Sequence, residues 1–389
     1  MKTKKLYSLL LVAILSLAVV LTGCGSSAPA ATTAAPTTAA PAPTTAAPAP
    51  APTTAAPAPA PAPAAGFDAN AVIGVALPWV GTQNWKEAED MFKAELAAAG
   101  YQPIVQAADN KVPQQQQQIE SMVQNGAKVI VVGPVDGSQL GAVLETAKAE
   151  GIYILSYDRL LENTTAVDGV VQFGSIKTGE IQGQALLDGL ATKGPGPYNI
   201  ELFGGGPADP NAPAFFTGAM SILQPKINDG TLVVVSGQTD FTQCATLDWD
   251  NAKAQARMDA LLSGFYSGKE IHGVLSPNDG IARAIITASE MAGQAIPIVS
   301  GLDAENESVE WVWNGRQYCT VAKPTEILVG KTIELINQLQ AGNALPAPDT
   351  TVNNGKIDVG VYELAPAVVT KDNAKQVFAN DPGRLALLN

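Results

Sequence analysis

From Phe67 to the C-terminus, short unbroken apolar runs alternate with segments of helical periodicity, and nothing else constrains the fold as tightly. Residues 71–77, 104–107, 128–132 and 152–156 read as strands. Between them, 85–99 carries Trp85, Met91, Phe92 and Leu96 on one stripe, and 114–124 and 140–149 are further helices. In 114–124 the stripe is Ile119, Met122 and Val123, which assigns the run of five glutamines to a solvated helix face. The second half repeats the plan, with helices at 178–191, 214–227, 252–265 and 281–292. Its strands fall at 199–203, 232–236, 274–276 and 298–300. Continuous apolar strands between helices predict parallel sheets covered on both faces. Some 320 residues exceed what a single core supports, so two lobes are expected. After 317–322 and a helix at 325–340, late strands at 356–361 and 368–370 suggest repeated crossings between the lobes.

The first 66 residues are a different material. Lys2, Lys4 and Lys5 precede sixteen uncharged residues, 6–21, and then Leu21-Thr22-Gly23-Cys24. A basic start, a short apolar core and small residues before a cut site form a secretory signal over 1–23. Sixteen residues fall short of a membrane span. Residues 28–65 are only Ala, Pro and Thr, with TTAAP repeated from Thr32, Thr37, Thr44 and Thr53. Nothing there is large enough to build a core, so 24–66 reads as an extended tether, at roughly 3.1 Å per residue when straight.

Net charge is −13, with 36 acidic against 23 basic residues, and removal of the three signal lysines leaves −16. So acidic a chain repels nucleic acid and polyphosphates. With Cys24 at the cut site, Cys244 and Cys319 remain. An even pair outside the cytoplasm permits one disulfide, and two separate buried thiols are the alternative.

The segment 198–223 locates the chemistry. An apolar run with Ile200, Leu202 and Phe203 breaks at Gly204-Gly205-Gly206-Pro207, and Asp209 and Asn211 precede a helix starting near Pro213. The Lys-Ser/Thr of a phosphate loop is absent. Polar groups at the carboxyl end of a strand stand where open α/β sheets bind ligands. The other strand ends match: Trp79, Asn84 and Trp85; Asp158 and Arg159; Trp249; Asn278 and Asp279; Asp303; Lys323. Mixed acids and bases favour an uncharged guest, and carboxylates, amides and a guanidinium suit hydroxyls and a ring oxygen. Indole faces suit the C–H faces of a pyranose.

Each residue also has a bland reading. Trp85 and Trp249 suit helix-start core positions, Asn278-Asp279-Gly280 a turn and cap, Asp158-Arg159 a mutual pair, and Lys323-Pro324 a solvated hinge. A pair of acids such as Asp158 and Asp303 would also suit a glycosidase. One histidine, His272, which opens an apolar strand, leaves almost no material for His-dependent triads or HExxH zinc sites.

The stretches QQQQIESMVQNGAKVIVV, ILSYDRL, YNIELFGGGPADPNA, TLDWDNAKAQARMDALLS, VLSPNDG and VSGLDAE resemble the periplasmic-binding-protein type 1 family of monosaccharide receptors for ABC transporters. The resemblance runs from Ala71 to the C-terminus and is nearest the multiple-sugar, galactose/glucose and xylose binders. It implies α/β architecture with two doubly wound parallel-sheet lobes joined by a three-crossing hinge. The lobes would be 67–175 plus 323–352, and 176–322 plus 353–389. Trp85 and Trp249 would sandwich the sugar, Asp158 and Arg159 would bind it from the first lobe, and Asn211, Asn278 and Asp303 from the second, with Asp209 near by. Lys323 would stand at the hinge. The pattern departs at Asn84, where such receptors carry Arg, and at Asn278, where an aromatic occurs. The resemblance to a lipobox implies cleavage before Cys24 and its acylation. The expected partners are an aldohexose or aldopentose, ABC permease and ATPase subunits, and a membrane reached through the lipid. No cofactor, metal or nucleic acid is expected, and the protein would be an extracytoplasmic monomer. A receptor presenting sugar to a chemoreceptor or sensor kinase would share the same site.

Overall fold

The computed structural model describes residues 66–389. The signal peptide, Cys24 and all but the last residue of the expected tether lie outside the described residues. The chain runs β1 (Val72–Leu77), α1 (Gln83–Ala98), β2 (Gln102–Ala107), α2 (Val112–Gln124), β3 (Val129–Val132), α3 (Gly141–Ala149), β4 (Tyr153–Tyr157) and β5 (Gly169–Phe173). It continues α4 (Ser175–Ala191), β6 (Tyr198–Leu202), α5 (Asn211–Asn228), β7 (Leu232–Val234), α6 (Phe241–Cys244), α7 (Asn251–Phe265), β8 (Gly273–Leu275), α8 (Asp279–Met291), β9 (Ile298–Val299) and α9 (Asn306–Asn314). It closes β10 (Cys319–Ala322), α10 (Thr325–Gln340), β11 (Thr350–Asn353), β12 (Asp358–Leu364), β13 (Ala367–Thr370), α11 (Ala374–Val377) and α12 (Pro382–Ala386).

Two sheets define two lobes. The first has seven strands in the order β11-β12-β5-β4-β3-β1-β2, parallel except for β11. The second has four parallel strands, β7-β6-β8-β9, and an antiparallel pair, β10-β13, stands beside it. Successive side chains of β1 go to opposite faces, as the strand period demands. Ile73, Val75 and Leu77 pack with α1 and α10, while Ala76 joins Ile119, Ile130 and Ile154 beneath α2 and α3. Both faces are thus covered, which is why these strands read as unbroken apolar runs. In the second lobe α4 and α5 cover one face and α7 and α8 the other.

The chain leaves the seven-stranded sheet after Phe173, returns after Ala322 and leaves again after Leu364. The expected assignment of 353–389 to the second lobe needs correcting for its first part. β12 pairs in register with β5, Val361 beside Val170, and β11 pairs with β12, so the first sheet keeps the chain through Leu364. The alternating Val359, Val361 and Tyr362 are buried in that sheet's two cores, and it is this burial that recruits the strand.

Gln115 also departs from expectation. It is fully buried in the glutamine-rich helix, donating to the carbonyls of Ala76 and Gly133 and accepting from Val135 N. Cys244 and Cys319 are not bridged. Cys244 packs with Leu202, Phe216 and Leu223, whereas Cys319 opens β10 opposite Thr370. Burial pushes their thiols up to about 11 and about 12.

Candidate functional site

A cleft enclosing about 370 Å³ of non-atom space, part of it open to solvent, lies between the lobes. It is walled by the carboxyl ends of strands from both sheets. Of the strand-end residues picked out from the sequence, Asn84, Trp85, Asp158, Arg159, Asp209, Asn211, Trp249, Asn278, Asp303 and Lys323 line it, as does Trp79, whereas Asp279 lies behind the wall. Thr82, Phe215 and Leu302 complete the wall. Phe215 had a signal, standing four residues after Asn211 on the same face of α5. Leu302 is one residue before Asp303, but an apolar residue at a strand end looks like core.

Each indole rests on a glycine. A methyl group on Gly205 would come within 2.1 Å of Trp249 Cη2, and one on Gly133 within 2.9 Å of Trp85 Cζ3. The glycines at the ends of β6 and β3 therefore serve ring packing rather than phosphate binding. Arg159 lies over the Trp85 ring, its guanidinium carbon 5.2 Å from the ring centroid.

The charges form two buried sets. Lys323 Nζ sits 3.2 Å from Asp158 Oδ1 and 3.4 Å from Asp303 Oδ1, taking one carboxylate from each lobe. Arg159 donates from Nη1 to the carbonyl of Pro134 at 3.0 Å, and its Nε is 2.8 Å from Asp209 Oδ2. That Nε contact is an ion pair at short range, but its N–H is not aligned with the oxygen. Asn211 crosses the cleft, donating from Nδ2 to the backbone carbonyl of Asp158 at 2.9 Å. The mutual Asp158–Arg159 pair and the solvated Lys323 are thereby excluded. Asn278 does double duty, capping α8 through Ile281 N at 3.0 Å while lining the cavity.

Burial lifts the Asp303 carboxyl to about 6, against the opposing pull of Lys323. Burial also raises Asp209, with Arg159 resisting. For Lys323 burial works against the charge, and Asp158 and Asp303 outweigh it, so the ammonium is held protonated well above its ordinary range. Asp303 Oδ1 and Trp249 Nε1 are buried without a hydrogen-bond partner among the described residues.

Three wall residues have left-handed backbone: Asp158 at φ 60°, Trp249 at φ 56° and Asp303 at φ 89°. Aspartate tolerates that region, but for a side chain as bulky as Trp249 it is strained. Strain of this kind, about 1–3 kcal/mol per residue, persists where surrounding structure over-determines it, typically at binding sites. Here Gln182 helps to hold the frame, donating to the carbonyls of Ser276, Pro277 and Gly301. Asp279 does the same from the other side, accepting from Gln317, Thr320 and Glu305 N. Burial raises Asp279 to about 8.

Two α/β lobes, three chain crossings and a polar cavity at the facing strand ends define a periplasmic-binding-protein type 1 fold. The chain belongs to the periplasmic binding protein domain family, whose pattern matches residues 73–344. It is 41% identical over 313 residues to the multiple sugar-binding periplasmic receptor ChvE of Rhizobium radiobacter, covering 79% of this chain and 88% of that one. It is 33% identical over 310 residues to the D-xylose-binding periplasmic protein of Escherichia coli, covering 79% and 89%. Among solved structures, an ABC transporter solute-binding protein from Clostridium phytofermentans with bound β-D-glucose superposes with TM-score 0.78 at 33% identity, over 82% of this chain and all of that one. A carbohydrate transporter solute-binding protein from Chloroflexus aurantiacus, in complex with D-glucose, gives 0.73 at 33% identity, over 80% and 95%.

Proposed function

We propose that this chain is a lipid-anchored, extracytoplasmic solute-binding protein that captures a monosaccharide and delivers it to an ABC importer. The observation that carries this reading is the cavity itself. Two cations and three carboxylates face it, and each cation already lies against carboxylate, so no strong field is left for a charged guest. Hydroxyls remain well served, because carboxylates accept from them while Arg159, Asn211 and Asn278 supply amide and guanidinium groups. Trp85 and Trp249 would take the two faces of the ring of one aldohexose or aldopentose. The glucose complexes of similar proteins support this guest. Binding would stabilise the closed arrangement of the lobes, and a permease would receive that form. Delivery to a sensor protein would use the same site.

Turnover is not part of the reading. Asp158 and Asp303 share one ammonium, Lys323, so neither stands free as the separate acid and nucleophile a glycosidase needs. Calorimetry with D-glucose, D-galactose, D-xylose and L-arabinose tests the function: folded protein that binds none of them overturns it. Release of nitrophenol from aryl glycosides, lost in Asp158→Asn, would favour an enzyme instead. For the anchor, palmitate labelling in cells should disappear in Cys24→Ser, and labelling unaffected by that change would remove Cys24 from the account. Size-exclusion chromatography with light scattering checks the monomer.

A further inference from the structure

A second set of bonds joins the lobes without lining the cavity. Glu87, on α1 of the first lobe, receives both Oε1 and Oε2 contacts from Arg384 Nη2, each at 3.2 Å. Arg384 belongs to α12, beside the second lobe. Its Nη1 donates to Asp381 Oδ2 at 2.8 Å, and its Nε donates to the carbonyl of Ala304 at 2.7 Å. One turn before Glu87, Gln83 donates from Nε2 to Glu87 Oε1 at 2.6 Å. Gln83 also crosses to the second lobe, accepting from Asn306 N at 2.7 Å and donating its own N–H to Glu305 Oε1 at 3.3 Å. Glu305 in turn is held by Arg283. Gln83, Glu87, Asn306 and Arg384 are all outside the cavity wall.

We propose that Glu87 and Arg384, with Gln83, form a closure latch that sets the affinity for every sugar by a common factor without touching any of them. The inference rests on the reading of the cavity as a sugar site that closes. Its logic is that of populations. The apparent dissociation constant is the intrinsic one divided by the fraction of molecules in the competent form. Bonds made only when the lobes meet raise that fraction, and do so before the ligand's identity matters. The latch is about a quarter exposed at Glu87, with 24% of its side chain accessible, so its coupling belongs at the low end of the usual range. Loss of the pair should weaken binding about fivefold to tenfold.

Glu87 is the cleaner probe, because Arg384 also steadies Ala304 beside Asp303. Glu87→Ala should raise the dissociation constants of all wild-type ligands by the same factor, leaving their rank order intact. Small-angle scattering of the unliganded variant should show a larger radius of gyration than wild type. Unchanged thermal unfolding of unliganded Glu87→Ala would separate the effect from misfolding, and Glu87→Gln, which keeps size and an acceptor, should fall between. Constants unchanged in Glu87→Ala, or changed for one sugar alone, overturn the latch. Should wild type bind no sugar, the site's reading fails, and scattering still decides the latch: equal radii for wild type and Glu87→Ala refute it.

Discussion

Arg159 Nε lies 2.8 Å from Asp209 Oδ2, joining the end of β4 in one lobe to the β6–α5 connection in the other. Both side chains are almost entirely buried, at 6% exposure each. Removing one member of such a pair leaves the other desolvated and unmatched, which costs about 2–5 kcal/mol at an interface. Arg159→Met should therefore weaken sugar binding by at least tenfold in calorimetry, and Asp209→Asn should do so to a smaller degree because its amide still accepts from Asn211 N. Equal affinities for Arg159→Met and wild type would mean the pair does not hold the closed cleft.

Gly205→Ala should disable the site while sparing the fold. The added methyl would meet the Trp249 ring at 2.1 Å, and the ring belongs to a strained turn with little room to retreat. Overpacking of this kind costs about 1–3 kcal/mol. Sugar should change the tryptophan fluorescence of the wild-type protein, and Gly205→Ala should lose that change with far-ultraviolet circular dichroism unaltered. A normal titration would show that Trp249 is not a wall of the sugar site.

Stability and affinity should respond to pH in opposite senses through Asp303. Burial, resisted by Lys323, lifts its carboxyl from an ordinary 3.8 to about 6. The folded state thus holds this proton more tightly than the unfolded state. The stability it contributes is fully present below about pH 4 and is lost as pH rises through about 6. Sugar hydroxyls donate to the ionised form, so affinity falls as pH drops below about 6. Calorimetry and urea unfolding between pH 4.5 and 7.5 read the two trends, and Asp303→Asn should flatten both.

The cysteines give a simple check. Cys244 and Cys319 are unbridged and buried, and their thiols are pushed up to about 11 and about 12. Neither should react with a thiol reagent in the native protein at pH 8, and both should react after denaturation without reductant. A pair that labels only after reduction would restore the disulfide.

Much of this fold is visible in residue order. The predicted helix at 325–340 coincides with α10, and the unbroken runs of β1, β3 and β8 announced parallel strands because both sheet faces are covered. Short or half-exposed elements escaped. β5 and β11 lack long apolar runs, and α9 and α12 are brief, α9 opening on polar Asn306 and α12 on Pro382-Gly383. β12 reads as a strand from its residues, but which lobe it joins depends on pairing with β5, far away in sequence. The burial of Gln115 is not legible in residue order, because its partners are backbone carbonyls, which no side-chain pattern encodes. The cavity's polar members were legible because all occupy one topological place. Which anion would neutralise which cation was not, since Asp158 turned from its neighbour Arg159 to Lys323, 165 residues on.

α12 is more than a trailing end. Leu388 is completely buried in a small core with Ala304, Val309 and Phe378, and Arg384 reaches the carbonyl next to Asp303. A fluorescent reporter fused after Asn389 would therefore be mounted on a segment in contact with Ala304, the neighbour of Asp303, and with α1 across the cleft. Such a fusion would double as a perturbation and a gauge of domain movement, whereas an affinity tag meant to be silent belongs elsewhere on the molecule.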